Sequence, residues 1–201
     1  KEIGRLVDYL KNKDLWDNTI FVIISDHGEN YGEHGNYFCR GGLYDPSVHI
    51  PLIMHLPGLP SKKINSMVAN IDVSATILDY MGDKKDIDGK SLIPLIKGEV
   101  EDDYSFRDKI FMADGFCKDR FAIRTKDRKL IITEDGKCFL CGMEHNDGKI
   151  EEYDLSSDSD ELKNIYARPT DLENVLRGKI DNLERDVDLE EVTSTVVNVE
   201  R

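Results

Sequence analysis

Thr19-Ile20-Phe21-Val22-Ile23-Ile24-Ser25-Asp26-His27-Gly28 is a run of β-branched and aromatic residues that ends on a carboxylate, an imidazole and a glycine. A continuous apolar run of this kind predicts a strand buried on both faces, as in a parallel sheet flanked by helices. Ligands of open α/β sheets bind just beyond the carboxyl ends of such strands, so Asp26 and His27 stand where chemistry is usually placed. A carboxylate beside an imidazole can hold a divalent metal through one hard oxygen and one borderline nitrogen. A strand-ending Asp is equally a turn or cap residue, and both readings stay open. Gly28 lets the backbone turn sharply away.

Upstream, Ile3, Leu6, Val7 and Leu10 recur at helical spacing among charged residues, and Asp17-Asn18 turns the chain into the strand. Helix, turn and strand thus read as the back half of a βαβ unit. Pro51-Leu52-Ile53-Met54-His55-Leu56 is the second strand candidate of the same parallel sheet. Two strands cannot bury both faces, so the missing ones are expected N-terminal to Lys1, leaving an exposed apolar edge or patch. Asp72 is expected to cap a helix that buries Val73, Ile77, Tyr80 and Met81 and closes at Gly82. Asp79 is read as a surface residue of that helix.

Past the acidic stretch Glu99-Val100-Glu101-Asp102-Asp103 the pattern changes to short strands at 110–113, 120–125, 129–133, 138–143 and 149–153, with Asp-Gly turns at 135–136 and 147–148. A helix from Asp171 is expected to bury Leu172, Val175, Leu176, Ile180, Leu183 and Val187 against them.

Forty acidic against 27 basic residues leave a net charge of −13 over 201 residues, which argues against a nucleic-acid surface. An anionic substrate would need local positive charge from a metal or a placed Arg or Lys. No stretch reaches the length of a membrane span, and a membrane is not an expected partner. The four cysteines are Cys39, Cys117, Cys138 and Cys141. The C-x-x-C pair at 138 and 141 fits zinc, a redox pair or plain thiols, and so few cysteines in an acidic chain favour the cytoplasm.

The run at 25–28 continues as Glu29-Asn30-Tyr31-Gly32-Glu33-His34-Gly35, Arg40-Gly41-Gly42-Leu43-Tyr44-Asp45 and His49-Ile50-Pro51-Leu52-Ile53. In this order the blocks resemble the S-D-[HN]-G, G-E-H-G, K-G-x-x-Y-E and R-V-P-L-I segments of the sulfatase family in the alkaline phosphatase superfamily. Ile71 to Gly82, Asp88-Gly89-Lys90-Ser91-Leu92, Ala122-Ile123-Arg124-Thr125, Tyr153-Asp154-Leu155 and Asp160 to Asn164 are similar to its later segments. The resemblance implies the C-terminal portion of an alkaline-phosphatase-like α/β sandwich over 1–98, then a small α+β subdomain over 104–201, an antiparallel sheet with a packed helix.

It further implies that Asp26 and His27 are metal ligands, for calcium by family habit, with manganese or zinc also compatible with the imidazole. Arg40 takes the place of the family's Lys and would bind an ester oxygen with its planar fork, against the simpler reading of an exposed loop Arg. His34 would act in proton transfer or behind the site, against a role in bonding the backbone of a tight loop. Glu29 and Glu33 read as solvated carboxylates, His49 as structural and His55 as a core histidine with its hydrogen bonds satisfied. His145 lies in a polar turn, and Tyr44-Asp45 is expected to pack behind Arg40. The family's nucleophile motif, C/S-x-P-x-R, is not in these residues. The chain alone is therefore expected to be inactive, and to lie within an enzyme that cleaves sulfate esters of an anionic small molecule or glycan. A phosphonate or phosphate ester hydrolase or a phosphotransferase is the first alternative, and a non-catalytic remnant or binding module the second. A homo-oligomer is left open.

Overall fold

A computed structural model describes residues 1–35, 37–39, 42–83, 85–103, 105–114, 120–133 and 150–186, with the side chains of 37–39 and 184–186 excepted. Arg40, Cys117, Cys138, Cys141 and His145, the turns at 135–136 and 147–148, and the residues after 186 lie outside this description. The chain divides into two compact units, Lys1–Arg40 with Asp45–Ile110, and Gly41–Tyr44 with Phe111–Arg201.

In the first unit, α1 (Glu2–Asn12) forms at the predicted apolar spacing, yet none of its residues is buried. A turn at Trp16–Asn18 leads to β1 (Phe21–Ile24). The chain continues through β2 (Asn30–Tyr31), β3 (Tyr37–Cys39), one helical turn α2 (Asp45–Val48) and β4 (Leu52–His55). Here the structure corrects the sequence reading. β1 and β4 pair antiparallel, Phe21 opposite His55 and Ile24 opposite Leu52. The strands are not buried on both faces either, since Ile53 is 60% exposed. An apolar run states that a strand wants cover, and says nothing of the direction of its neighbour. His55 stacks on Trp16 with ring centroids 3.9 Å apart, and its Nε2 lies 3.2 Å from the Trp16 carbonyl.

The core of this unit is formed by α3 (Ile71–Tyr80) and α4 (Ile93–Lys97), where Leu92, Ile93 and Leu95 are buried. The buried stripe of α3 is Asp72, Ala75 and Thr76, while Met81, expected inside, is 70% exposed. Asp72 is inside the first turn rather than at the cap. Its carboxylate accepts the backbone N–H groups of Ala69 and Lys90 at 2.8 Å each and pairs with Arg107. Those donors compensate burial of the charge, which turns the helix to face them. Asp79 accepts the Ser91 hydroxyl at 2.6 Å and is half-buried. Gly89 explains the Asp-Gly at 88–89, because a Cβ there would meet the Ile71 carbonyl oxygen at 2.2 Å.

The second unit is a four-stranded sheet in the order β5 (Ile110–Asp114), β6 (Arg120–Arg124), β7 (Arg128–Thr133), β8 (Ile150–Asp154). β6–β7 and β7–β8 pair antiparallel. α5 (Asp171–Asp186) lays Leu176 and Ile180 on Ile123, Leu130 and Ile132, with Leu172 partly buried beside them. Val175 and Leu183, expected in that core, are exposed instead. Residues 164–166 cover the outer edge of β8: Ile165 N–H donates to the Glu152 carbonyl at 2.8 Å and the Asn164 side chain accepts the Glu152 N–H at 3.0 Å. A covered edge resists pairing with another chain. Lys129 and Glu161, both fully buried, form an ion pair at 2.7 Å. No helix among the described residues is long and apolar enough to cross a membrane.

Candidate active site

β1 delivers the chain into the segment 25–30, where Ser25, Asp26 and His27 bond near neighbours. The Ser25 hydroxyl donates to the His27 carbonyl at 2.6 Å, and the His27 N–H donates to Asp26 Oδ1 at 3.0 Å. His27 Nδ1 lies 2.6 Å from the Gly28 carbonyl oxygen. A carbonyl only accepts, so Nδ1 carries the hydrogen. In that tautomer of the neutral ring, Nε2 is the lone-pair nitrogen, and it stands 3.5 Å from Asp26 Oδ2. Two electron-rich atoms facing each other at this distance call for a cation or a proton between them. The Asp26 side chain is 85% exposed and that of His27 33%. The pair is thus held in shape by these short-range bonds, with the Asp26 carboxylate largely exposed.

The residues behind this loop are polar and buried. Gly28 N–H donates to the Ser47 carbonyl at 2.7 Å, and a Cβ on Gly28 would lie 1.9 Å from the Pro46 carbonyl oxygen. Only glycine permits that approach. Asn30, fully buried, donates its side-chain Nδ2 to Ser47 Oγ at 2.6 Å. Sequence reasoning missed both Asn30 and Ser47. A short polar side chain in an irregular segment carries no periodicity, and the one available signal was Gly28, which announces a close neighbour without naming it. Glu29 differs from the solvated reading, since its Oε1 is buried and has no hydrogen-bond partner among the described residues. Glu33 is exposed as expected. Its carboxyl is held below the usual carboxylate range by backbone N–H groups, its own first and then that of Tyr31, 2.6 Å away.

His34 lies in the turn Glu33–Gly35 with a left-handed backbone, φ 52°. That conformation is uncommon for a residue with a side chain and is enriched at tight turns. The segment that follows Arg40 belongs to the second unit: Gly42 N–H donates to Asp114 at 2.9 Å, and the Tyr44 hydroxyl lies 2.9 Å from both oxygens of the buried Glu151. Tyr153 donates to the same carboxylate at 2.7 Å, and burial, followed by that carboxylate, pushes its phenol well above its usual range. Among the described residues no group of three or more His, Cys, Asp and Glu gathers to hold a metal. The Asp26–His27 pair fits a metal as two donors of the right kind, one oxygen and one tautomer-fixed nitrogen.

Residues 32–186 match the model of the N-sulphoglucosamine sulphohydrolase C-terminal family. An N-acetylglucosamine-6-O-sulfatase of Bacteroides thetaiotaomicron is 32% identical over 84% of this chain and 30% of its own length. Arylsulfatase K of Canis lupus familiaris is 29% identical over 83% of this chain and 31% of its own. The chain therefore spans less than a third of the length of these relatives. Among solved structures, one determined in complex with its substrate D-glucosamine-2-N,6-O-disulfate superposes with a TM-score of 0.70 at 28% identity, over 92% of this chain and 38% of that one. The phosphonate monoester hydrolase of Silicibacter pomeroyi shares the fold, with a TM-score of 0.67 at 24% identity over 92% of this chain and 38% of that one.

Proposed function

We propose, from the premise that this chain belongs to the N-sulphoglucosamine sulphohydrolase C-terminal family and so represents the C-terminal part of a sulfatase of the alkaline phosphatase superfamily, that it serves metal-dependent hydrolysis of a sulfate ester on an amino sugar or glycan. The observation that supports the reading best is the facing of Asp26 Oδ2 and His27 Nε2 at 3.5 Å, with Nδ1 committed to the Gly28 carbonyl. These two residues would hold a divalent cation, calcium, manganese or zinc, and when bound such an ion supplies neutralisation of charge on the ester oxygens. The nucleophile and the remaining donors come from the rest of the protein.

In this reading Asp26 and His27 orient the site through backbone bonds that need no reorganisation during the reaction. Arg40 would supply the local positive charge that a chain of net charge −13 otherwise withholds from an anion. His34 moves the proton at the leaving oxygen. The substrate class follows the relatives, one an N-acetylglucosamine-6-O-sulfatase and one bound to a disulfated glucosamine.

The test is sulfate release from a 6-O-sulfated N-acetylglucosamine by the full-length enzyme, with a phosphonate monoester as the competing substrate. Sulfate release should dominate. Arg40→Ala should lower turnover by about 10²-fold or more with metal affinity intact. His27→Asn should shift activation from manganese or zinc towards calcium, which takes oxygen ligands. Faster cleavage of the phosphonate would give the site to that chemistry, and hydrolysis of neither would leave a binding module.

A further inference from the structure

Residues 25–29 have no regular secondary structure between β1 and β2, yet the direction of one carbonyl among them, that of Gly28, decides which nitrogen of His27 carries the hydrogen. Something must hold that peptide. Ser25 fixes the incoming side through the His27 carbonyl. On the outgoing side α2 supplies three restraints. The Ser47 carbonyl takes the Gly28 N–H at 2.7 Å, the Ser47 hydroxyl takes Asn30 Nδ2 at 2.6 Å, and the Pro46 carbonyl occupies the space where a Gly28 Cβ would stand. Ser47 and Asn30 are both buried, so neither bond is exchanged for water at small cost.

We propose that Ser47 is a positioning residue for His27: by gripping the loop at Gly28 and at Asn30 it sets the Gly28 carbonyl that fixes the imidazole with Nε2 turned towards Asp26. This rests on the metal reading above for its consequence, but not for its geometry. A ring held as the Nδ1–H tautomer by a carbonyl is the arrangement that orients a metal-binding histidine and raises its basicity. Ser47 touches neither metal nor substrate. Its effect passes through one peptide.

The experiment follows the histidine ring nitrogens by ¹⁵N–¹H correlation, with His27→Gln identifying the signal, and binding of manganese by titration. Wild-type His27 is expected as the Nδ1–H form. Ser47→Ala should move it towards the Nε2–H form and weaken manganese binding by about 10-fold or more. Both variants keep the Ser47 carbonyl and its bond to Gly28, and Ser47→Thr also keeps the hydroxyl that holds Asn30, so it should restore both readouts. Ser91→Ala is the control for plain destabilisation. It removes a 2.6 Å bond to Asp79 in the same unit and should leave tautomer and manganese affinity unchanged. Should Ser47→Ala not fold, Asn30→Ala removes the same buried bond from the other side and carries the same expectation. An unchanged His27 tautomer in the folded Ser47 variant, or an equal shift in the Ser91 variant, would overturn the proposal. Manganese affinity untouched by His27→Gln would instead overturn the metal reading, and the tautomer would still decide the role of Ser47.

Discussion

The two units treat similar apolar patterns differently. In the second, the apolar strands β6 and β7 and the stripe of α5 close on each other, and Ile123, Leu130, Leu176 and Ile180 are all buried. In the first, α1 and the β1–β4 pair show equally clear patterns and leave Ile3, Leu6, Ile24 and Ile53 exposed. A pattern specifies which face wants to be covered; a sheet of two strands has too little surface to cover it. The same contrast holds for charge. Lys129 and Glu161 are sealed together in the second unit, whereas in the first the Asp26 side chain beside His27 is 85% exposed.

Three measurements would break or sharpen this contrast. The largest effect is expected from Glu161→Ala, which leaves the Lys129 charge buried without its partner and should cost about 3–5 kcal/mol, read as a lower urea midpoint for the sheet. A loss under about 1 kcal/mol would mean that the ion pair is not sealed in solution. A smaller effect belongs to Glu173. Burial opposes its charged form, but the Tyr166 hydroxyl at 2.7 Å and Arg177 at 2.8 Å outweigh burial and hold the carboxyl below its usual value. A depressed carboxyl stabilises the fold above the unfolded pKa of about 4.3 and loses that contribution as pH falls through the lower folded value. Glu173→Gln should therefore lose about 1 kcal/mol at neutral pH and flatten the acid limb of stability below about pH 4.5. An unaltered acid limb would remove Glu173 from the docking of α5. The smallest change is expected in α1: Leu6→Gln should stay within about 0.5 kcal/mol, since the residue is exposed. A loss several times larger would show that the stripe of α1 is covered in solution, and the contrast would then shrink.

Much of the second unit was legible in the sequence. Strands at 110–114, 120–124, 128–133 and 150–154 and the helix from Asp171 follow from short-range period, and short-range period is what propensity and pattern record. The loop after β1 was legible as a tight approach through Gly28. The motif blocks were legible as a family, because their order along the chain is itself information.

What only the tertiary structure decided has one physical cause: each case depends on partners far apart in sequence. The antiparallel direction of β4 against β1 requires knowing where the intervening 27 residues lead, which no local pattern states. Asp72 becomes the centre of a buried network only because Lys90 and Arg107 arrive beside it. Lys129 reads as an ordinary solvent-facing position until Glu161 meets it, and Glu151 until Tyr44, 107 residues away, donates to it. Ser47 and Asn30 are 17 residues apart and individually unremarked by any rule of spacing. A buried polar group is stable only when its hydrogen-bond partner is delivered to it, and that delivery is the work of the whole fold.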